Sequence, residues 1–295
     1  MAVATKTLAN PIQSIVRHSA DPSARFWYRF LQNRQAVLGG CVLTLIVLMA
    51  LAAPLIAPGD PSRIVLGERE NPPSLDHLFG TDRLGRDVFG RIVWGARVSL
   101  GISLLAVSLG SMIGILLGAV AGYASGMTDA LITRAIDVML ALPTFFLLVT
   151  IQSLFPPSVT NVIVIIGITS WMAIARIVRG QFLTMKEREF VEAARCLGVR
   201  PARIVFRHIL PNVSSQIIVF FTLGIADALL VESALSFLGL GVPPYQASWG
   251  NMLNDGQIGI LSGTWWVAFF PGLMILLTAL SINFLGDGLQ ESLFK

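Results

Sequence analysis

Six long apolar runs constrain the fold of this chain more than any other feature of its sequence. A helix that crosses a membrane needs about 20 predominantly apolar residues. Six segments meet that requirement: 36–57, 98–122, 131–155, 159–178, 213–235 and 265–285. Only 13% of the residues are charged, whereas a soluble domain has about 25%. We therefore predict an all-α integral membrane protein with six transmembrane helices and both termini on the same side.

The positions of lysine and arginine predict which side that is. Of the 21 basic residues, 15 lie in segments on the side of the termini, and the other six all lie in one loop, residues 58–97. Cytoplasmic segments are enriched in these residues, so both termini are predicted to be cytoplasmic. Residues 1–35 then form a cytoplasmic tail that ends in a short interfacial helix or, alternatively, in a simple aromatic and basic anchor for the first span. Residues 36–295 form the six-span domain, with 58–97 outside and 179–212 in the cytoplasm.

The second half of the outside segment has a helical pattern. Arg83, Asp87 and Arg91 recur every four residues, and apolar residues between them can form one face. The pattern predicts a helix lying on the outer surface. That helix either contacts an external partner or caps the helix bundle.

The longest polar stretch between apolar runs is the basic sequence EAARCLGVRPARIVFRHILPN, residues 192–212. Its first three residues are good helix formers, and Gly198 interrupts them. Pro201 can start a second short helix because its fixed backbone angle suits a first turn, and Pro211 is expected to end it. This segment is predicted to be a helix, a glycine bend and a second helix on which another protein docks.

Glycines recur at every fourth position of the second apolar run, at Gly110, Gly114, Gly118 and Gly122. Such a stripe lets another helix approach closely. The partner is either another helix of this chain or a helix of a second membrane subunit.

Three acidic residues lie within the apolar runs, where charges are costly and point to function. Asp137 follows Arg134 by one turn, which predicts a pair that neutralises itself. Asp227 and Glu232 point about 140° apart on one helix, so they cannot both line a narrow stripe. Each could face a polar pathway or bond a neighbouring helix.

Catalytic and nucleotide-binding signatures are missing from the sequence. No lysine follows a glycine, so the chain has no P-loop. The three histidines lie outside the apolar runs and lack metal-ligand spacing, and no hydrolytic motif is present. We predict a protein that is not an enzyme and binds no cofactor or metal. The basic residues flank apolar runs, which indicates membrane topology and not nucleic-acid binding.

Four ordered stretches resemble one family. The first has Glu-Ala-Ala, three residues, Gly, and a Leu-Pro ending. The others are GTDRLGRDVFGRIVWGAR, ESALSFLGLGVPP with SWGNML, and NFLGDGL. The chain resembles the permease subunits of binding-protein-dependent ABC importers. His208 stands where the general pattern has isoleucine, and the ending Arg207–Asn212 resembles the peptide and nickel branch, in its C-type subunit.

The resemblance implies a role for each matching residue. The ATPase-coupling residues would be Glu192, Ala193, Ala194, Gly198, Arg203, His208, Leu210 and Pro211. The implied partners are a second permease, one or two P-loop ATPase subunits that hold ATP and Mg²⁺, and an external solute-binding protein. The location would be the bacterial plasma membrane.

The resemblance favours short peptides as the solute, while nickel chelates, haem, glutathione or another small solute remain alternatives. A second class of function is an ATP-independent transporter or channel whose pathway Asp227 and Glu232 would line.

Overall fold

The computed structural model describes residues 22–294, and these residues form a bundle of helices joined by turns. The helices are α1 (Pro22–Gln32), α2 (Arg34–Leu51), α3 (Ala53–Ile56), α4 (Val88–Ala124), α5 (Gly126–Ala141), α6 (Thr144–Ser153), α7 (Val159–Met185), α8 (Glu189–Cys196), α9 (Pro201–Ile204), α10 (Leu210–Phe237), α11 (Trp249–Ser262) and α12 (Trp266–Phe294). A short 3₁₀ turn covers Leu66–Glu68, and a π-helical turn, Val205–Ile209, joins α9 to α10. Residues 1–21 of the tail predicted for residues 1–35 lie outside the described residues.

Five helical segments of the described chain are long and apolar enough to cross a membrane: α2, α4, α7, the continuous segment Pro201–Phe237, and α12. The sixth span is the pair α5 and α6, which is bent by 84°. Proline disfavours helical geometry in the residue before it, and Leu142, which precedes Pro143, is extended. The all-helical, six-span prediction is confirmed when this bent pair is counted as one span.

The outer-surface helix predicted for residues 83–97 does not exist as a separate element. Helix α4 begins at Val88 and continues without a break through the second apolar run. The Asp87 carboxylate accepts a hydrogen bond from the Gly90 N–H at 2.6 Å and caps the helix. Arg91 therefore lies inside α4, and acidic partners neutralise it there.

A buried ion cluster surrounds Arg91 where α4 begins, which we call the α11 end of the bundle. The Asp82 carboxylate contacts the guanidiniums of Arg86 and Arg91, each at 2.6 Å. Asp255 on α11 contacts the same two guanidiniums at 2.6 and 3.0 Å. The cluster attaches the loop before α4 to α11 through four charged side chains that are largely withdrawn from solvent.

The arginines set the charge state of Asp82. Burial by itself raises the pKa of the Asp82 carboxyl. The Arg91 and Arg86 guanidiniums and hydrogen bonds from the backbone N–H groups of Arg86 and Leu84 outweigh burial, so that the pKa lies below its usual value. A lowered folded-state pKa stabilises the fold at pH above the ordinary aspartate pKa of about 3.9. That stabilisation is lost as the pH falls through the folded-state pKa.

The glycine stripe of α4 faces α7 of the same chain. A Cβ atom added at Gly114 would lie 2.7 Å from the carbonyl oxygen of Trp171, and one added at Gly118 would lie 2.6 Å from that of Ala175. A Cβ atom added at Gly122 would lie 2.8 Å from the carbonyl oxygen of Arg179 and 2.5 Å from the Cβ atom of Phe182. The two helix backbones are in contact along this seam, a spacing that only glycine permits.

Pro211 does not end the second helix of the basic segment, contrary to the sequence prediction. It lies in the first turn of α10, where a missing N–H costs nothing. The π-helical turn before it widens the backbone, and the Leu210 N–H bonds to the Val205 carbonyl five residues back. The helix therefore continues past the proline to Phe237.

Substituting Gly118→Ala is expected to lower the free energy of unfolding by about 1–3 kcal/mol, because the new methyl group forces α4 and α7 apart. Thermal unfolding of the purified protein measures the change. Gly101→Ala on the same helix is the matched control, because no atom lies within 4 Å of the added Cβ. Equal melting temperatures for the two variants would contradict the seam.

Substituting Asp82→Asn is expected to cost about 3 kcal/mol or more at neutral pH, because two buried guanidiniums lose a shared counter-charge. Asp76→Asn, at an exposed position of the same loop, is the control. The difference in stability between wild type and Asp82→Asn should begin to narrow as the pH falls below about 4, where the carboxylate of the unfolded chain becomes protonated, and it should vanish as the pH falls through the lower folded-state pKa. A pH-independent difference would show that the charge of Asp82 is not what stabilises the fold.

Candidate functional site

The segment predicted to be a docking site is a helix–turn–helix at the end of the bundle opposite α11, which we call the α8 end. Helix α8 ends in a turn in which the Val199 N–H bonds to the Ala194 carbonyl, and the Leu197 N–H bonds to the Ala193 carbonyl. Gly198 has a φ of +72°, in the left-handed region. This geometry ends a helix and favours glycine. The chain then starts α9 at Pro201.

One face of α8 is anchored in the bundle. Val191 and Ala194 are buried, and they pack in a cluster with Phe182 of α7 and with Ile204 and Val213 on either side of the π-helical turn. These contacts attach α8 both to α7 and to the segment that leads into α10. A force applied to α8 is therefore transmitted to two membrane-crossing helices.

The opposite face of α8 is exposed and partly apolar. Glu192 and Ala193 are exposed. Leu197 is 83% exposed although it is a large aliphatic residue. Leu197 was not among the residues predicted from the sequence, because only the helix geometry shows that this leucine points away from the core. We call Glu192, Ala193 and Leu197 the α8 surface.

The remaining residues predicted for coupling occupy different positions. Gly198 shapes the turn beside the α8 surface, and Ala194 is buried beneath that surface. Arg203 and Pro211 are exposed, whereas His208 and Leu210 are half-buried. The structure thus separates residues that a partner can touch from residues that hold the loop in place.

Asp137 pairs with Arg176 of α7 and not with Arg134 as predicted. Its carboxylate lies 2.8 Å from the Arg176 guanidinium, and both side chains are about half exposed. A second pair, between Asp129 of α5 and Arg179 of α7, is bidentate, with distances of 2.5 and 2.8 Å. Bidentate pairing is the strongest geometry for arginine and a carboxylate. These pairs hold the bent span against α7.

Glu232 is completely buried in α10. Its carboxylate accepts hydrogen bonds from the Ser236 hydroxyl at 2.9 Å and from the Ser233 hydroxyl at 3.4 Å. The hydroxyls of Ser236, Ser99 and Ser248 are grouped around it. Each of these three hydroxyls in turn accepts a backbone N–H, from Val242, Trp249 and Asn251 respectively. Glu232 is therefore the centre of a polar network that joins α10, α4 and the start of α11. It does not line an open pathway in this conformation.

Asp227 has a different environment on the same helix. Its side chain is exposed on the surface of the isolated chain. It lines a cavity of about 440 Å³ that lies between the bent span, α7 and α10. Within residues 22–294, no side chain forms an ion pair or hydrogen bond with it. No group of three or more metal-ligating side chains occurs in the same range.

The arrangement is that of a multi-pass membrane protein with a short, partly exposed helix at one end and a mostly apolar cavity, lined by one carboxylate, between its spans. A family model described as the binding-protein-dependent transport system inner membrane component matches residues 110–295. A second, described as the N-terminal TM domain of oligopeptide transport permease C, matches residues 22–73. The chain belongs to this family and is a permease subunit of an ABC importer.

The relatives of the chain carry more particular names. It is 42% identical over 280 residues to the dipeptide transport system permease protein DppC of Bacillus subtilis, covering 95% of this chain and 88% of the relative. It is 40% identical over 265 residues to the oligopeptide transport system permease protein OppC of that organism, covering 90% and 87%. The glutathione transport system permease protein GsiD of Pectobacterium atrosepticum is 40% identical, covering 92% of this chain and 90% of the relative.

The fold has a solved counterpart. An inward-facing structure of the MetNI methionine ABC transporter matches 67% of this chain and 93% of its own chain, with a TM-score of 0.55 and 17% sequence identity. At that identity the likeness concerns the fold alone. It agrees with the bundle of apolar spans described above.

Substituting Glu232→Ala is expected to lower the free energy of unfolding by about 1–3 kcal/mol, because buried hydroxyls lose their acceptor. Glu232→Gln should lower the free energy of unfolding by less, because the amide oxygen of glutamine can still accept a hydrogen bond from a serine hydroxyl. Thermal unfolding measures both, with Glu187→Ala at an exposed position as the control. If Glu232→Ala reduced transport without any loss of stability, Glu232 would be a pathway residue and not a structural centre.

Proposed function

We propose that this chain is the C-type permease of a peptide importer in the bacterial plasma membrane. It pairs with a second permease, one or two ATPase subunits dock on the α8 surface, and an external binding protein delivers di- or oligopeptides. ATP and Mg²⁺ are held by the ATPase subunits. Both termini face the cytoplasm, which places the α8 end on the side where ATP is available.

The construction of the α8 surface carries this proposal. A short helix with one face anchored on two membrane-crossing segments and the other face exposed and partly apolar suits a rigid contact with a partner. Helix α7 is in turn fixed to α4 along the glycine seam. A displacement of α8 would therefore move a pair of long helices together. That motion is what alternating access by rocking of helix groups requires.

Names of relatives support the choice of solute. The permeases of Bacillus subtilis that match most of this chain are named for dipeptides and oligopeptides, and the permease of Pectobacterium atrosepticum is named for glutathione. Peptides are the solute class that these names share, and we assign it to this chain.

Substituting Leu197→Asp is expected to lower ATP-driven peptide import at least about tenfold, because a charge in place of the exposed leucine of the α8 surface opposes burial against the ATPase. Import into proteoliposomes with the complete set of subunits measures the effect, and co-purification of the ATPase measures docking. Leu75→Asp, at a position that is 96% exposed in the loop between α3 and α4, is the matched control.

Three outcomes would contradict the proposal. Full import by Leu197→Asp would show that the α8 surface does not couple ATP hydrolysis to transport. An equal loss of import in Leu75→Asp would show that the effect of the added charge is not specific to the α8 surface. Flux of peptides through the purified chain without ATP or partners would favour an ATP-independent transporter.

A further inference from the structure

We propose that Asp227 and the cavity beside it form a binding site for a cationic amine, namely the terminal ammonium group of the solute. This site rests on the proposed function, because it assigns the ammonium to a peptide in transit. It goes further by naming the residue in this chain that recognises the peptide and the chemical group that is recognised.

The depth of Asp227 is the first observation. It lies in α10 about 15 Å from the helix end at Phe237, at a rise of about 1.5 Å per residue. That distance is about half the thickness of the hydrocarbon core of a bilayer. A carboxylate that faced lipid at this depth would be costly, so intramembrane acids face a bundle interior or a water-filled cavity. The exposed face of α10 that carries Asp227 is therefore not a lipid-facing surface.

The second observation is that the charge of Asp227 is not compensated within residues 22–294. Every other acid discussed within the spans has partners: Asp129 and Asp137 have arginines, and Glu232 has serine hydroxyls. Asp227 forms neither kind of contact. A carboxylate left without a counter-charge in this chain favours a cation that comes from outside it.

The cavity supplies the third observation. Its volume of about 440 Å³ lies within the range of small-molecule sites, about 300–1,000 Å³. Most of its wall is aliphatic, with Leu148, Ile166 and Val231 among the lining residues. The hydroxyls of Thr169 and Ser170 are bonded to carbonyls of their own helix. An apolar chamber with one uncompensated carboxylate fits a ligand that has an ammonium group and an apolar body.

The position of the cavity favours a mobile solute over a fixed side chain of a neighbouring subunit. The bend between α5 and α6 forms one wall, through Thr144 at the start of α6. Interrupted membrane helices commonly border solute sites in transporters, near the middle of the bilayer. A permanent ion pair with a partner would need no chamber beside it.

A binding measurement without the binding protein tests the site directly. The complex of this chain with its partner permease and ATPase subunits is placed in nanodiscs. Equilibrium dialysis then compares the cationic alanyl-alanine amide with its neutral N-acetylated form. Wild type should bind the cationic amide at least about tenfold more tightly, as expected for one charge pair that is shielded from water.

Variants assign the preference to a residue. Asp227→Asn should abolish the difference between the two amides, and Asp227→Glu should retain it. Asp137→Asn, which removes an intramembrane carboxylate that already has an arginine, is the matched control and should leave the preference unchanged. If Asp227→Asn fails to assemble, the comparison of the two amides on wild type still decides whether a cation is recognised.

The outcomes separate the site from the function. If wild type bound both amides equally, or if Asp227→Asn kept the preference for the cationic amide, the proposed ammonium site would be wrong. The proposal of peptide import would be unaffected by either result. Loss of the partner permease from Asp227→Asn, together with no preference in wild type, would assign the cation to that partner and also overturn the site. If the complex preferred the cationic amide but imported no peptide, the ammonium site would be supported and the proposed function as a peptide importer would be refuted.

Discussion

The contact between α4 and α7 is the constraint on which the rest of the bundle depends. Lipid provides no hydrophobic drive for two apolar helices to associate, so close packing must hold them together. Four glycines on α4 let its backbone meet the backbone of α7, from Gly110 to Gly122. The ion cluster around Arg91 fixes the start of α4, and the buried face of α8 fixes the end of α7. The seam thus connects the two ends of the bundle.

Charged groups within the spans are stabilised in three different ways. Asp129 and Asp137 pair with arginines of α7, which suits positions that are partly exposed. Glu232 has no cation and is satisfied by hydroxyls, each of which also accepts a backbone N–H. Asp227 has neither an arginine nor a hydroxyl partner within residues 22–294, and its side chain lines a cavity. A charge within a membrane span is costly when it has no counter-charge, so this exception marks the position where the chain needs a charge.

Local signals were sufficient for much of this structure and failed where distant segments meet. The apolar runs, the glycine stripe and the bend at Gly198 each follow from one helix or one turn, and the sequence predicts them. The continuation of α4 through Arg91 depends on Asp255, which lies far along the chain, and a local pattern cannot reveal it. Arg176, the partner of Asp137, and Ser99, one of the serines around Glu232, are likewise far along the chain from the residues they contact. Pro143 is a local signal for a broken span, but the sequence prediction gave residues 131–155 as one continuous span. Pro211 led to a helix end that does not exist, because a π-helical turn accommodates this proline.

The α8 surface and the cavity of Asp227 share structural parts, which gives a physical route between them. Ile174 of α7 packs in the cluster beneath α8 and also lines the cavity. Val213 of the same cluster lies on α10, the helix that carries Asp227. The buried face of α8 therefore belongs to one packed cluster with residues of α7 and α10, and both of these helices line the cavity. Because close-packed side chains shift together and do not compress, this cluster is the physical connection through which a movement of α8 would reach the cavity.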